Sequence, residues 1–144
     1  MIAMRRRISL AAAALILFAS CASAPPFPLR IDISGQVIDR QFRELVVHAT
    51  NTGTSTLRDV RLTVTLPESL PVIGRNHTES MTLETVETAG AQRIYRYAIA
   101  ALPPAGTAAA HFPFRTSSMG TIEAKTMTVT ARMGSAVVET KRMF

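Results

Sequence analysis

VVHATNTGTSTLRDVRLTVTLPESL, residues Val46–Leu70, is the stretch whose pattern decides the fold. Leu45, Val47 and Ala49 alternate with Val46, His48 and Thr50 until Asn51-Thr52-Gly53-Thr54-Ser55 breaks the pattern. It resumes at Leu57, with Val60, Leu62, Val64 and Leu66 on one face and Arg61, Thr63 and Thr65 on the other. A period of two with β-branched residues on both faces describes a half-buried antiparallel strand and not a helix. The stretch reads as two strands joined by a tight polar turn, a hairpin in which Asn51 and Gly53 supply positive φ. Pro67, which has no N–H to donate, ends the second strand.

The same reading extends in both directions. Leu29–Ile33 alternates and is closed by Ser34-Gly35, and 36–41 is expected to wander between strands. Residues 68–75, with Pro71 and Gly74, read as a loop, and Met81, Leu83 and Val86 as a weaker strand. Gln92–Leu102 is strong, with Tyr95, Tyr97 and Ile99 on one face. Pro103-Pro104-Ala105-Gly106 is a turn cluster. Ala108–Thr116 is extended, with Pro113 marking an edge or a bulge, and Ser117–Gly120 turns the chain again. Ala124–Met133 and Ala136–Thr140 complete the set. Seven or eight antiparallel strands with turn signals about every 8–12 residues make an all-β sandwich with Greek-key connections. Leu45, Val47, Val60, Leu62, Val64, Tyr97, Ile99 and Val129 are expected to be buried together.

Several motifs in this order resemble a known pattern. Asn51-Thr52-Gly53 with Leu57, Val60 and Leu66-Pro67 is similar to an N-x-G turn leading into a strand that ends in L-P. Tyr97, Ile99, Leu102, Pro104 and Gly106 resemble an L-x-P-G turn with one residue inserted before the glycine. Met119-Gly120-Thr121 ahead of Met127 and Val129 resembles a glycine-led final strand. The set resembles a bacterial surface and envelope conserved-repeat domain of unknown function, the number eleven type, over roughly Leu29–Thr140. The resemblance implies an immunoglobulin-like β-sandwich in envelope and surface proteins, often in tandem and usually without catalysis. This chain departs from it by carrying a single copy.

The chain of 144 residues, 47% hydrophobic and 18% charged, has the composition of a globular protein and length for one domain. The N-terminus has the layout of a secretory signal. Arg5-Arg6-Arg7 is a basic head, Ile8–Phe18 an apolar stretch too short to span a bilayer comfortably, and Ala19-Ser20-Cys21 a small-residue end. Ala22-Ser23-Ala24 fits an ordinary cleavage site, although Pro25 would follow the cut. Leu17-Phe18-Ala19-Ser20-Cys21 resembles a bacterial lipobox with Phe18 where leucine is usual. The lipobox reading is preferred: a signal peptide over 1–20, a lipidated Cys21 with a proline-rich spacer over 21–28, and the sandwich over 29–144. The expectation is a lipid-anchored protein of the cell envelope, facing the periplasm or outside, with a membrane and an envelope protein as partners.

Charge and chemistry exclude other classes. The formal net charge of +6 drops to +3 once the three leader arginines are set aside, and no basic run remains. Nucleic acid is therefore not an expected partner. Cys21 is the one cysteine, so no disulfide and no thiolate zinc site can form within the chain. His48, His77 and His111 are scattered along the sequence, and no metal or other cofactor is expected. No G-x-S-x-G motif is present, and Glu84 and Glu87, three apart on a strand, should face opposite ways. The chain reads as a non-catalytic binding or structural module whose structural residues are Asn51, Gly53, Pro67, Gly106 and Gly120. The alternatives are an accessory subunit pairing through a sheet edge and a small periplasmic hydrolase.

Overall fold

The computed structural model describes residues 27–39, 42–70, 72, 76–115 and 126–143. Cys21 and Gly120 lie outside them, as do the stretches expected to be a leader and a turn at Ser117–Gly120. Nine strands run in chain order: β1 Leu29–Asp39, β2 Phe42–Asn51, β3 Leu57–Pro67, β4 His77–Glu79, β5 Thr82–Ala89, β6 Gln92–Leu102, β7 Thr107–Arg115, β8 Thr126–Met133 and β9 Ala136–Met143. They form two antiparallel sheets, β1-β2-β7-β4 and β5-β6-β3-β8-β9, packed face to face as a β-sandwich around one core.

Alternation places the apolar residues between the sheets. Val47, Val60, Leu62, Val64, Tyr97, Ile99, Phe112 and Val129 are fully buried, and every residue of the expected core belongs to one cluster. Phe112 on β7 meets Tyr95 and Tyr97 on β6 edge-on, with ring centroids 5.1 and 6.4 Å apart, so an aromatic triad pins one sheet to the other. Such pairs add about 0.5–1.5 kcal/mol each beyond the area they bury.

The structure departs from the sequence reading in five places. β2 and β3 are not a hairpin: they belong to different sheets, and 52–56 arches across the sandwich. Neither Asn51 nor Gly53 has positive φ. The first strand continues through Gly35 to Asp39, paired with β2 apart from a register shift between Val37 and Asp39, where a wandering segment was expected. Ahead of the weaker strand expected around Met81, Leu83 and Val86 lies β4, a three-residue edge strand with too few positions to show a period. Pro113 is on interior strand β7 without a register shift, but it pairs Glu44 beyond the end of the β4 ladder. Finally, a bulge between Leu83 and Thr85 resets the parity of β5. Glu84 and Glu87 consequently reach the same outer face, where they pair with Arg61 and Arg96.

The true tight hairpins lie elsewhere. Gly90-Ala91 joins β5 to β6 and Gly134-Ser135 joins β8 to β9, each with φ near +60° at the glycine (61° and 59°). A two-residue loop with glycine first is the type II′ arrangement, whose twist matches that of the flanking strands.

Candidate functional site

The residues expected to shape turns act through close contact. Asn51 ends β2 at 1% exposure. Its side-chain N–H groups donate to the carbonyls of Ser55 (2.8 Å) and Leu102 (2.9 Å), and its Oδ1 accepts from the Gly53 N–H at 2.9 Å. Its backbone N–H donates to the Gly106 carbonyl, and its own carbonyl accepts from the Ala105 N–H, both at 3.0 Å. One asparagine thus ties the β2–β3 arch to the β6–β7 turn. Gly53 is where Pro28 packs closely: a Cβ there would lie 3.0 Å from Pro28 Cβ. At Gly106 a Cβ would lie 2.8 Å from the Pro103 carbonyl oxygen, the acceptor that closes the turn. Pro67 is the last residue of β3, as read from the sequence.

A second assembly sits on the outward face of the four-stranded sheet. Leu45, Val47 and Ala49 point into the core, so Glu44, Val46 and His48 point out. On β7 the outward set includes Ala109, His111 and Pro113. On β4, His77 pairs His111 and Glu79 pairs Ala109, so both side chains join that face. All three histidines of the chain therefore share one sheet face, although 63 positions separate His48 from His111 in the sequence.

Three of these side chains meet. The His77 and His111 rings lie 5.3 Å apart, tilted by 53°. Glu79 Oε1 is 3.7 Å from His77 Nε2 and 3.9 Å from His111 Nε2. Behind them, Glu44 Oε1 is 2.8 Å from His111 Nδ1. A carboxylate can only accept, so Nδ1 carries the proton and donates. The other ring nitrogen, Nε2, is buried and has no hydrogen-bond partner. Spacing along the chain hid this group, because its members lie on β2, β4 and β7 and only strand register unites them. The one local signal was His77-x-Glu79, two residues that share a face once 77–79 is read as a strand.

A third feature is an edge. Every residue of β5 is exposed, and the exposed large apolar side chains among the described residues are Leu83 and Val86 on β5 and Val137 and Met143 on β9. These are the two edge strands of the five-stranded sheet.

No family model and no curated protein matches the chain. Among solved structures it is similar to an exo-β-N-acetylglucosaminidase of Vibrio harveyi (8% identity, TM-score 0.44), with 79% of this chain and 17% of that one covered. It is also similar to AvmM, which catalyses macrocyclisation in alchivemycin A biosynthesis (12%, 0.48, covering 82% and 88%). A third is the CBM3b module of scaffoldin ScaA from Acetivibrio cellulolyticus (16%, 0.42, covering 77% and 94%). The chain spans only 17% of the Vibrio enzyme.

Proposed function

We infer that the chain is a non-catalytic binding or structural module of the bacterial cell envelope, held to a membrane by a lipid on Cys21. The leader and its lipobox-like end support the anchor, and the resemblance to the surface repeat domain supports the envelope setting. The observation that carries the binding role is the confinement, among the described residues, of exposed large apolar side chains to sheet edges. A sandwich that fills its interior with its own side chains meets other molecules through outer faces and edges. The accessory-subunit reading is favoured by β5 in particular. Its outer ladder is open at the sheet edge, it carries Leu83 and Val86 on one side, and an extended segment of a partner can add there as a further strand.

The test has two parts. Wild type should partition into membranes, and Cys21→Ser should block lipoprotein processing and leave the precursor held by its leader. An unmodified mature N-terminus at Pro25 by mass spectrometry would overturn the anchor. A photo-crosslinking residue at Val86 should give a discrete envelope adduct that the same probe at Thr126 does not; equal labelling at both positions would remove the edge reading.

A further inference from the structure

Two imidazoles and a carboxylate converge on a sheet face where neither the fold nor the proposed role calls for them. We propose that His77, Glu79 and His111 form a site for one divalent transition-metal ion of the zinc class.

The argument begins with distances. A tetrahedral zinc ion bound at about 2.0–2.2 Å holds neighbouring ligand atoms roughly 3.3–3.5 Å apart. Glu79 Oε1 lies 3.7 and 3.9 Å from the two Nε2 atoms, within a few tenths of an ångström of that spacing. The three ligand atoms all fall within 4.8 Å of one another. The larger closure is between the two imidazoles, and the His77 side chain is 68% exposed, so it can rotate without disturbing packing.

The second part of the argument is the support behind the cluster. A metal-binding histidine ordinarily donates its other ring N–H to a carboxylate or carbonyl, which fixes its tautomer and raises its basicity. Glu44 does this to His111 at 2.8 Å. The pair is the less exposed part of the group, with side chains 16% and 22% exposed. The remaining ring nitrogen, His111 Nε2, is buried without a hydrogen-bond partner and faces Glu79 and His77, so that in the neutral ring its lone pair is available to a cation there.

The donor set selects the ion. Two imidazoles and one carboxylate suit zinc, copper, nickel and cobalt, whereas calcium and magnesium favour all-oxygen shells. Three protein ligands leave a fourth position for water. Because His77 and Glu79 belong to the short edge strand and His111 to interior β7, the ion would clip β4 to the sheet.

The experiment uses the full chain carrying Cys21→Ser, so that the one thiol cannot ligate, stripped of metal and titrated with Zn2+ by calorimetry. One ion per chain should bind, and Zn2+ should raise the melting temperature. Glu44→Gln should weaken binding by about 10–100-fold, the usual effect of losing an outer-shell partner. His77→Ala and Glu79→Ala, both at exposed positions, should weaken it further and abolish the Zn2+-induced rise in melting temperature. His48→Ala, on the same face but outside the cluster, should change nothing. Absence of saturable Zn2+ binding, or binding unchanged in His77→Ala, or an equal loss in His48→Ala, would overturn the proposal.

Discussion

Asn51 shows how much a single polar side chain can hold. It is buried at the junction of two loops and uses both amide hydrogens and the amide oxygen. Replacing it with alanine strands the Leu102 and Ser55 carbonyls and the Gly53 N–H, and Asn51→Ala should cost about 2–4 kcal/mol in urea denaturation. Asn51→Asp should cost a similar amount, because a carboxylate cannot donate to either carbonyl. The glycines make a second comparison. Gly106→Ala forces a Cβ against a backbone oxygen at 2.8 Å, whereas Gly53→Ala meets a proline ring carbon at 3.0 Å that has more room to shift. Gly106→Ala should therefore be the more damaging, about 1–3 kcal/mol, with Gly53→Ala near or below the lower figure. Equal losses would show that the Pro103 turn can relax. The sequence pointed to Gly53 as a turn former through positive φ and to Gly106 as part of a turn cluster; their actual constraint is what packs against them, which no local pattern records.

Strands were legible in proportion to their length and burial. β3 and β6 announced themselves, because a sustained run of alternating positions separates core from solvent, and the inward parity of Leu62 follows directly. Leu62→Ala should cost about 2–5 kcal/mol. Val86→Ala on the exposed β5 edge should stay within about 0.5 kcal/mol. Chemical denaturation of the two variants side by side checks the contrast. β4 has three residues and no apolar one, so it was invisible, and with it the placement of His77 and Glu79. The parity of Glu84 and Glu87 was misjudged for a related reason. A single bulged residue reverses which face the rest of a strand presents, and nothing in TLETVETA announces the bulge.

Across the whole sandwich, one ionisable group lies at the centre of the inter-sheet core. Tyr97 is fully buried, and burial, with Tyr95 adding to it, raises its hydroxyl well above the ordinary tyrosine value while the nearby Asn76 side chain opposes the shift. Neither that hydroxyl nor the Asn76 amide closes a hydrogen bond of ordinary geometry. The folded state keeps the Tyr97 proton at pH values where the unfolded chain releases it. Its contribution is therefore complete below about pH 10 and declines as pH rises, by up to about 1.4 kcal/mol per pH unit. Tyr97→Phe should flatten that decline while leaving stability at pH 7 within about 1 kcal/mol. Unfolding free energies of both proteins at pH 8 and pH 11 give the comparison, and parallel pH dependences would show that Tyr97 ionises freely in the fold.

The sequence by itself determined the all-β class, most of the strands and the whole of the expected core, because each rests on a period of two that a chain displays locally. The signal-like pattern of the N-terminus and Cys21 are likewise read from the sequence alone and lie outside the described residues. Only the tertiary structure decided which strands share a sheet. That decision turned an apparent hairpin at Asn51 into an arch between sheets, since a five-residue polar link can bridge two sheets as readily as it can reverse within one. It also decided that Glu44, His77, Glu79 and His111 meet. Antiparallel register brings residues from three strands into one patch across 67 positions of sequence, and register depends on the pairing of whole strands, which spacing along a single chain does not encode.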